Sequence, residues 1–116
     1  MDEHDLRAFV QGWPGTETGV KWQDDLVFSV AGKMFCVLCL RGTTAGSLGF
    51  KVEDHRFLEL TGRPGFIPAP YLARAHWVQV AGPARVPAAE LQALLRRSYE
   101  LVRARLPKKT QRDLAD

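Results

Sequence analysis

The sequence predicts an α+β fold, a two-layer sandwich in which an antiparallel sheet packs against flanking helices. Strand patterns of period two follow one another between residues 20 and 52 with only short turns between them. Helical patterns precede this run, follow it and close the chain, so repeated parallel crossovers are excluded. We expect the order helix, three or four strands, helix, strand, helix, within a single domain of residues 1–116.

The first helix is expected near the amino terminus. Asp2 and Asp5 have the three-residue spacing of a capping box. Gly12 and Pro14 can end the helix and prevent its continuation. Its apolar face is formed by residues at helical spacing, namely Leu6, Phe9, Val10 and Trp13.

Four short segments then have strand character: 20–22, 26–30, 33–40 and 47–52. Ala31 and Gly32 form a tight connection, which indicates a hairpin. Between Met34 and Leu40 both faces are apolar, so this segment is predicted to be a central strand covered on both sides or nearly so.

The second half of the chain predicts a short helix, one more strand and a long helix. The short helix spans 54–61, and the prolines of 67–70 require an extended backbone. In a strand over 76–80, His76 shares a face with two valines, while Trp77 lies on the other. The long helix starts at Pro87 and ends before Pro107, and the basic tail, 107–116, is expected to fray or to extend it briefly.

Charge is unevenly distributed along the chain. The net charge is +3, but residues 1–31 carry −4 and the remainder is basic. Such asymmetry permits a polyanion-binding face. The acidic amino terminus resembles no secretory signal, and no apolar run approaches the roughly 20 residues that span a bilayer, so we expect a cytoplasmic protein without membrane contact.

Motifs for catalysis or metal binding are not evident. Cys36 and Cys39 form C-x-x-C, but residues three apart in a strand point to opposite faces, so core packing is expected instead of a disulfide or zinc site. The three histidines have no metal-ligand spacing, and no nucleophile motif occurs. We therefore expect no cofactor, no metal and no enzymatic activity.

Two basic regions have both a structural and a functional interpretation. Trp77 can pack under a helix with His76 at a sheet margin, or it can lie partly exposed beside Arg74 as a stacking surface. The carboxyl-terminal cations can form an ordinary solvated helix face or contact phosphates. This second set comprises Arg96, Arg97, Arg103, Arg105, Lys108 and Lys109.

Several of these segments together resemble the MmcQ/YjbR-like family. The motifs are Lys33-Met34-Phe35 before a hydrophobic strand, the pair His76-Trp77, the helix start Val86-Pro87-x-x-Glu90-Leu91, and Ser98-Tyr99-Glu100-Leu101-Val102 followed by Leu106-Pro107-Lys108-Lys109. They occur in the family's order through nearly the whole chain. The chain differs from the common central motif at Ala73, Ala75 and Val78, where many members have asparagine, a basic residue and asparagine.

The resemblance implies a small bacterial domain related in fold to type III secretion chaperones. It also implies DNA binding through a double-wing arrangement, in which β-hairpin loops flank a helix. On this basis we expect a non-enzymatic module that binds double-stranded DNA weakly. The expected contacts are Arg74, His76 and Trp77, supported by Lys51, Arg63, Lys108 and Lys109. The alternative is a protein-interaction or chaperone-like module with no nucleic-acid role, either a monomer or a weak homodimer.

Overall fold

One antiparallel sheet organises the chain in the computed structural model, which describes residues 1–70 and 72–114. The strand order is β1-β2-β3-β4-β6-β5, and each neighbouring pair is antiparallel. The predicted α+β class is therefore confirmed, with β5 as a short additional edge strand. The strands are β1 Thr16–Lys21, β2 Asp25–Val30, β3 Lys33–Cys39, β4 Leu48–Lys51, β5 Phe66–Pro68 and β6 Trp77–Val80.

The helices all pack on one face of this sheet. Each described α-helix contributes apolar residues to the same hydrophobic cluster, including Leu6, Leu60, Leu95 and Leu114. The last helix is separate from the long one, because the chain bends at Pro107 and residues 108–114 become helical again. The helices are α1 Glu3–Val10, α2 Asp54–Thr61, α3 Ala88–Ala104 and α4 Lys108–Leu114, and short 3₁₀ turns occupy Ala73–Ala75 and Pro83–Arg85.

Local sequence explains how α1 begins. The amide of Asp5 donates to Asp2 Oδ1 at 2.9 Å, and the amide of Asp2 donates to Asp5 Oδ2 at 3.2 Å. This reciprocal pair satisfies helix-start donors that have no intrahelical partner. The capping box that the spacing of the two acids predicts is confirmed.

Ser98 fastens α3 to the sheet. Its hydroxyl is fully buried, accepts from the amide of Lys51 at 2.9 Å and donates to the carbonyl of Phe35 at 2.7 Å. A third hydrogen bond, from Tyr99 Oη to the carbonyl of Pro14 at 2.6 Å, joins the next residue of the helix to the α1–β1 turn. The two bonds of Ser98 are buried and that of Tyr99 is partly buried, and together they hold α3 in one position.

Strand register defines two ends of the sheet. Val30 pairs with Lys33 and Lys51 pairs with Trp77, so one end contains the β2–β3 turn, the end of β4 and the start of β6. We call this the Lys51 end. The opposite end contains the β1–β2 turn, where Lys21 pairs with Asp25, and we call it the Asp25 end.

The face away from the helices is only partly covered. Ala69, Pro70 and Leu72 fold over it beside β6, and the rest of this face is open among the described residues. The predicted central strand, β3, therefore has helices on one side and a concave open surface on the other. None of the described helices combines the length and apolar character needed to cross a membrane.

Candidate nucleic-acid interface

The predicted DNA contacts do not form one continuous surface. Arg63 lies at the Asp25 end, next to β5, whose first residue pairs with the last residue of β6. Its guanidinium donates to both carboxylate oxygens of Glu90, at 2.9 and 3.0 Å. This bidentate pair neutralises Arg63 and raises its pKa, chiefly through the hydrogen bond to Glu90. Arg63 therefore lies away from the other predicted contacts, at the opposite end of the sheet.

Lys51 is buried and serves a structural purpose. It is 7% exposed, and its ammonium group donates to the carbonyl of Ala75 in the 3₁₀ turn. Burial, followed by the charge of Arg105, lowers the pKa of Lys51, while Asp54 opposes the shift. The prediction of Lys51 as a surface contact is thus corrected, because its ammonium group connects β4 to the turn before β6.

His76 joins α2 to the start of β6. Its Nδ1 lies 2.8 Å from Asp54 Oδ1, and its ring meets the edge of Phe57 at 5.4 Å between centroids. The backbone at His76 is left-handed, with φ 60° and ψ 45°, so β6 begins only at Trp77. The predicted strand start at 76 is wrong by one residue, because a left-handed residue cannot continue a strand.

Trp77 is 4% exposed, so its indole is not available as a DNA contact. Its amide donates to the carbonyl of Leu72 and its carbonyl accepts from the amide of Ala69, so both of these residues lie against it. Its side chain faces away from the helices, over Gly49 of β4. Both residues of the His76-Trp77 pair therefore stabilise the segment that leads into β6. Trp77 packs under a loop instead of a helix.

Arg74, Lys108 and Lys109 are the predicted contacts that are exposed on the surface. Arg74 occupies the 3₁₀ turn at the Lys51 end. Lys108 and Lys109 begin α4, which is placed at the same end because Leu114 packs against Gly15. The carbonyl of Gly15 in turn accepts from the amide of Ala31 in the β2–β3 turn. The three exposed contacts thus lie at one end of the sheet, the same end as the less exposed Lys51, His76 and Trp77.

Cations along α2 and the first part of α3 are paired with acids. Arg97 bonds Glu53 at 3.2 Å as well as Glu100, and Arg96 pairs with Glu100 while stacking on Trp13 and Tyr99. Their outward surface is therefore close to neutral. This arrangement matches the solvated-face interpretation for Arg96 and Arg97, and it removes them from a phosphate-binding surface.

Seven cations near the Lys51 end have no ion-pair partner within residues 1–70 and 72–114. Arg103 is half-buried against the Tyr99 hydroxyl, and the others are exposed. The acids that follow β4 at this end, Glu53 and Asp54, are engaged by Arg97 and His76. We call these cations the basic end: Lys33, Arg74, Arg103, Arg105, Lys108, Lys109 and Arg112.

The sequence does not predict Lys33 or Arg112 as contacts. Lys33 follows the tight Ala31-Gly32 turn, which predicts a hairpin. That this turn contacts Gly15, which in turn lies beside Leu114 of α4, depends on tertiary packing. Arg112 lies in a tail that was expected to fray or to prolong α3, and α4 instead gives it a defined place. Residues 115 and 116 of that tail lie outside the described residues, as does Tyr71.

The cysteines do not form a common site. Cys36 belongs to the cluster beneath the helices, and burial raises its pKa far above the ordinary thiol value. Cys39 faces the other side, half-buried, with its thiol 3.0 Å from the carbonyl of Arg41. The predicted opposite orientation is confirmed, although only Cys36 is a core residue. In the described part of the chain no three histidine, cysteine or acidic side chains lie together as metal ligands.

Comparison with known proteins identifies relatives of this architecture. The YjbR family model matches residues 11–101. A crystal structure of DR2400 from Deinococcus radiodurans, which contains a DUF419 domain, is 30% identical with a TM-score of 0.84, covering 96% of this chain and 86% of that one. A Pseudomonas syringae protein shares the fold at 23% identity and TM-score 0.68, covering 88% of this chain and 99% of that one. No curated protein matches the sequence.

Proposed function

The chain belongs to the YjbR family, and from that premise we propose that it is a non-catalytic module that binds the backbone of double-stranded DNA through its basic end. The supporting observation is the separation of charge: cations along α2 and early α3 are paired, whereas those of the basic end face no acid within ion-pair distance among the described residues. Unpaired cations release counterions from a polyanion on binding, which favours association.

The shape of the basic end suits a duplex backbone. Lys33 lies at the start of β3, beside the β2–β3 turn, and Lys108 lies at the start of α4. The α1–β1 turn contacts both of these elements through Gly15. A hairpin turn beside a helix is one half of the double-wing arrangement that the family resemblance implies, which supports the proposal.

The side chains of the basic end favour phosphate contacts over base recognition. They are lysines and arginines on helix surfaces and turns, and such groups fix position on a duplex without reading its sequence. We therefore propose non-specific binding, with a Kd of about 10⁻⁴ to 10⁻⁶ M at physiological salt. The proposed compartment is the bacterial cytoplasm, where DNA is available and free thiols such as Cys36 remain reduced.

The test compares charge removal at the two ends of the sheet. Lys108→Gln with Lys109→Gln removes two cations from the basic end, and we expect the salt dependence of duplex DNA binding to lose about 1.8 in its logarithmic slope. The matched control, Lys21→Gln with Arg85→Gln, removes two exposed cations at the Asp25 end and leaves affinity within about twofold. Fluorescence anisotropy between about 50 and 200 mM salt measures both.

The proposal fails if the wild-type protein shows no binding at about 50 mM salt, where backbone contacts are strongest. It also fails if both double variants weaken binding equally, because affinity would then follow net charge instead of the basic end. Circular dichroism of each variant confirms that the substitutions, all at exposed positions, leave the fold intact.

A second candidate function, self-association, is favoured by the outer edge of β1. This strand is paired on one side only, and Val20 is 56% exposed. In a two-fold antiparallel pairing centred on Gly19, Glu17 of one copy faces Lys21 of the other, which makes the charges complementary. A dimer by light scattering that persists at high salt and is abolished by Val20→Lys, together with no DNA binding, supports this candidate over the first.

A further inference from the structure

A cavity of about 540 Å³ occupies the open face of the sheet. Its floor is formed by the strands, including Val37, Gly49 and Gln79. One wall is formed by the indole of Trp77 with Ala69, Pro70 and Leu72. The opposite wall includes Trp22 from the β1–β2 turn. This volume falls within the range of small-molecule sites, and the predominantly apolar lining with a few polar groups is also typical of them.

Trp22 holds its position against local preferences. It and Gln23 both have positive φ, at 52° and 69°, in a turn that would favour glycine or asparagine. The indole is also 66% exposed, so burial in the core does not explain a tryptophan at this position. A bulky side chain held in a left-handed turn at the edge of a cavity is the kind of strain that accompanies binding sites.

Asp25 supplies the charge of this cavity. Among the described residues that line the cavity, Asp25 alone carries a charge. Its carboxylate makes no hydrogen bond and no ion pair with any described residue. Desolvation, followed by the charge of Asp24, raises its pKa, so the folded protein does not by itself stabilise the ionised carboxylate. Asp24 differs, because it lies 3.9 Å from a guanidinium nitrogen of Arg41.

We propose that this cavity binds a small organic cation with an aromatic or aliphatic body, with Asp25 as the counter-charge and the two indoles as its walls. Tryptophan is the aromatic side chain that attracts cations most strongly, and removal of water strengthens that attraction. An anion would be repelled by Asp25, and a neutral apolar molecule would leave the carboxylate further desolvated without a partner. The site is separate from the basic end, and the proposal does not depend on DNA binding.

The probe for this site is benzyltrimethylammonium chloride, titrated into the full chain and followed by calorimetry and by the indole N–H resonances. Benzyl alcohol and phenylacetate provide neutral and anionic comparisons with the same ring. We expect saturable binding of the cation, at least about tenfold tighter than either comparison, with the largest resonance shift at Trp22.

Neighbouring acids provide a matched pair of variants. Asp25→Asn should weaken binding of benzyltrimethylammonium about tenfold, whereas Asp24→Asn, which removes an equal charge outside the cavity, should change it less than about twofold. Trp22→Ala should weaken binding about fivefold, and because Trp22 is exposed the variant should fold normally. All variants are checked by the dispersion of their amide resonances.

Three outcomes would overturn the proposal. These are equal affinities for the cation and benzyl alcohol, equal effects of Asp25→Asn and Asp24→Asn on binding of the cation, and no saturable binding of the cation below about 10 mM. The first outcome removes the charge selectivity, the second removes the role of Asp25, and the third removes the site.

Discussion

The ionised carboxylate of Asp25 lowers the stability of the fold, although the proposed binding site would use its charge. Its pKa is raised by desolvation and then by Asp24, so the native state binds a proton more readily than the unfolded chain. This preference for the proton stabilises the folded protein below pH 3.8, the pKa of the unfolded state. The stabilisation is lost as pH rises through the higher native pKa. At neutral pH the ionised carboxylate therefore opposes folding.

We accordingly expect Asp25→Asn to be at least as stable as the wild type at pH 7. As pH falls through the native pKa of Asp25, the wild type should gain stability relative to the variant, because its carboxyl group becomes neutral. Thermal unfolding between pH 3 and 8 measures the difference in Tm, with Glu17→Gln, which removes an exposed carboxylate at the other end of β1, as the control. A variant clearly less stable than the wild type at pH 7 would mean that the carboxylate has a stabilising partner.

The segment that leads into β6 depends on two residues, His76 and Trp77, that the sequence predicts as DNA contacts. His76 contacts α2 through Asp54, and Trp77 lies beneath Ala69 and Leu72, so the two residues position the strand. Their place in the family resemblance is therefore explained by architecture. Removal of either side chain acts first on the fold and only then on any surface contact.

Replacement of the buried indole tests this assignment. Trp77→Ala should destabilise the protein by about 3 to 5 kcal/mol, because it removes a large buried aromatic group and leaves a cavity. The control is Trp22→Ala, whose exposed side chain should contribute less than about 1 kcal/mol. Urea unfolding measures both. A Trp77→Ala protein with wild-type stability but no DNA binding would restore Trp77 as a contact.

At the scale of the whole molecule, the two proposed sites use different surfaces. The basic end combines cations from the ends of α3 and α4 with those of two turns at the Lys51 end. The cavity opens on the sheet face away from the helices and includes the β1–β2 turn of the Asp25 end. No described cation of the basic end lines the cavity.

We therefore expect the two ligands to bind independently. Saturating benzyltrimethylammonium chloride should change the affinity for duplex DNA by less than about twofold, when ionic strength is matched with sodium chloride. Conversely, Lys108→Gln with Lys109→Gln should leave binding of the cation unchanged. A larger mutual effect would show that the two surfaces are coupled or that DNA enters the cavity.

Local patterns allowed the elements to be predicted, but they did not locate the candidate site. The capping box of Asp2 and Asp5 and the opposite faces of Cys36 and Cys39 depend on residues within one turn or strand. The left-handed backbone of His76 was missed, because no glycine marks it. Lys51 looked like the polar side of a strand, and only the turn folded over it shows that it is buried.

The sequence by itself determined the α+β class, the order of the main elements and the overall basic charge. Periods of two and 3.6 residues follow from backbone geometry, so they can be recognised without knowledge of distant neighbours. Only the tertiary structure decided which cations are free and which indole is exposed. Those properties depend on residues far apart in sequence, as when Glu90 pairs with Arg63 through two hydrogen bonds.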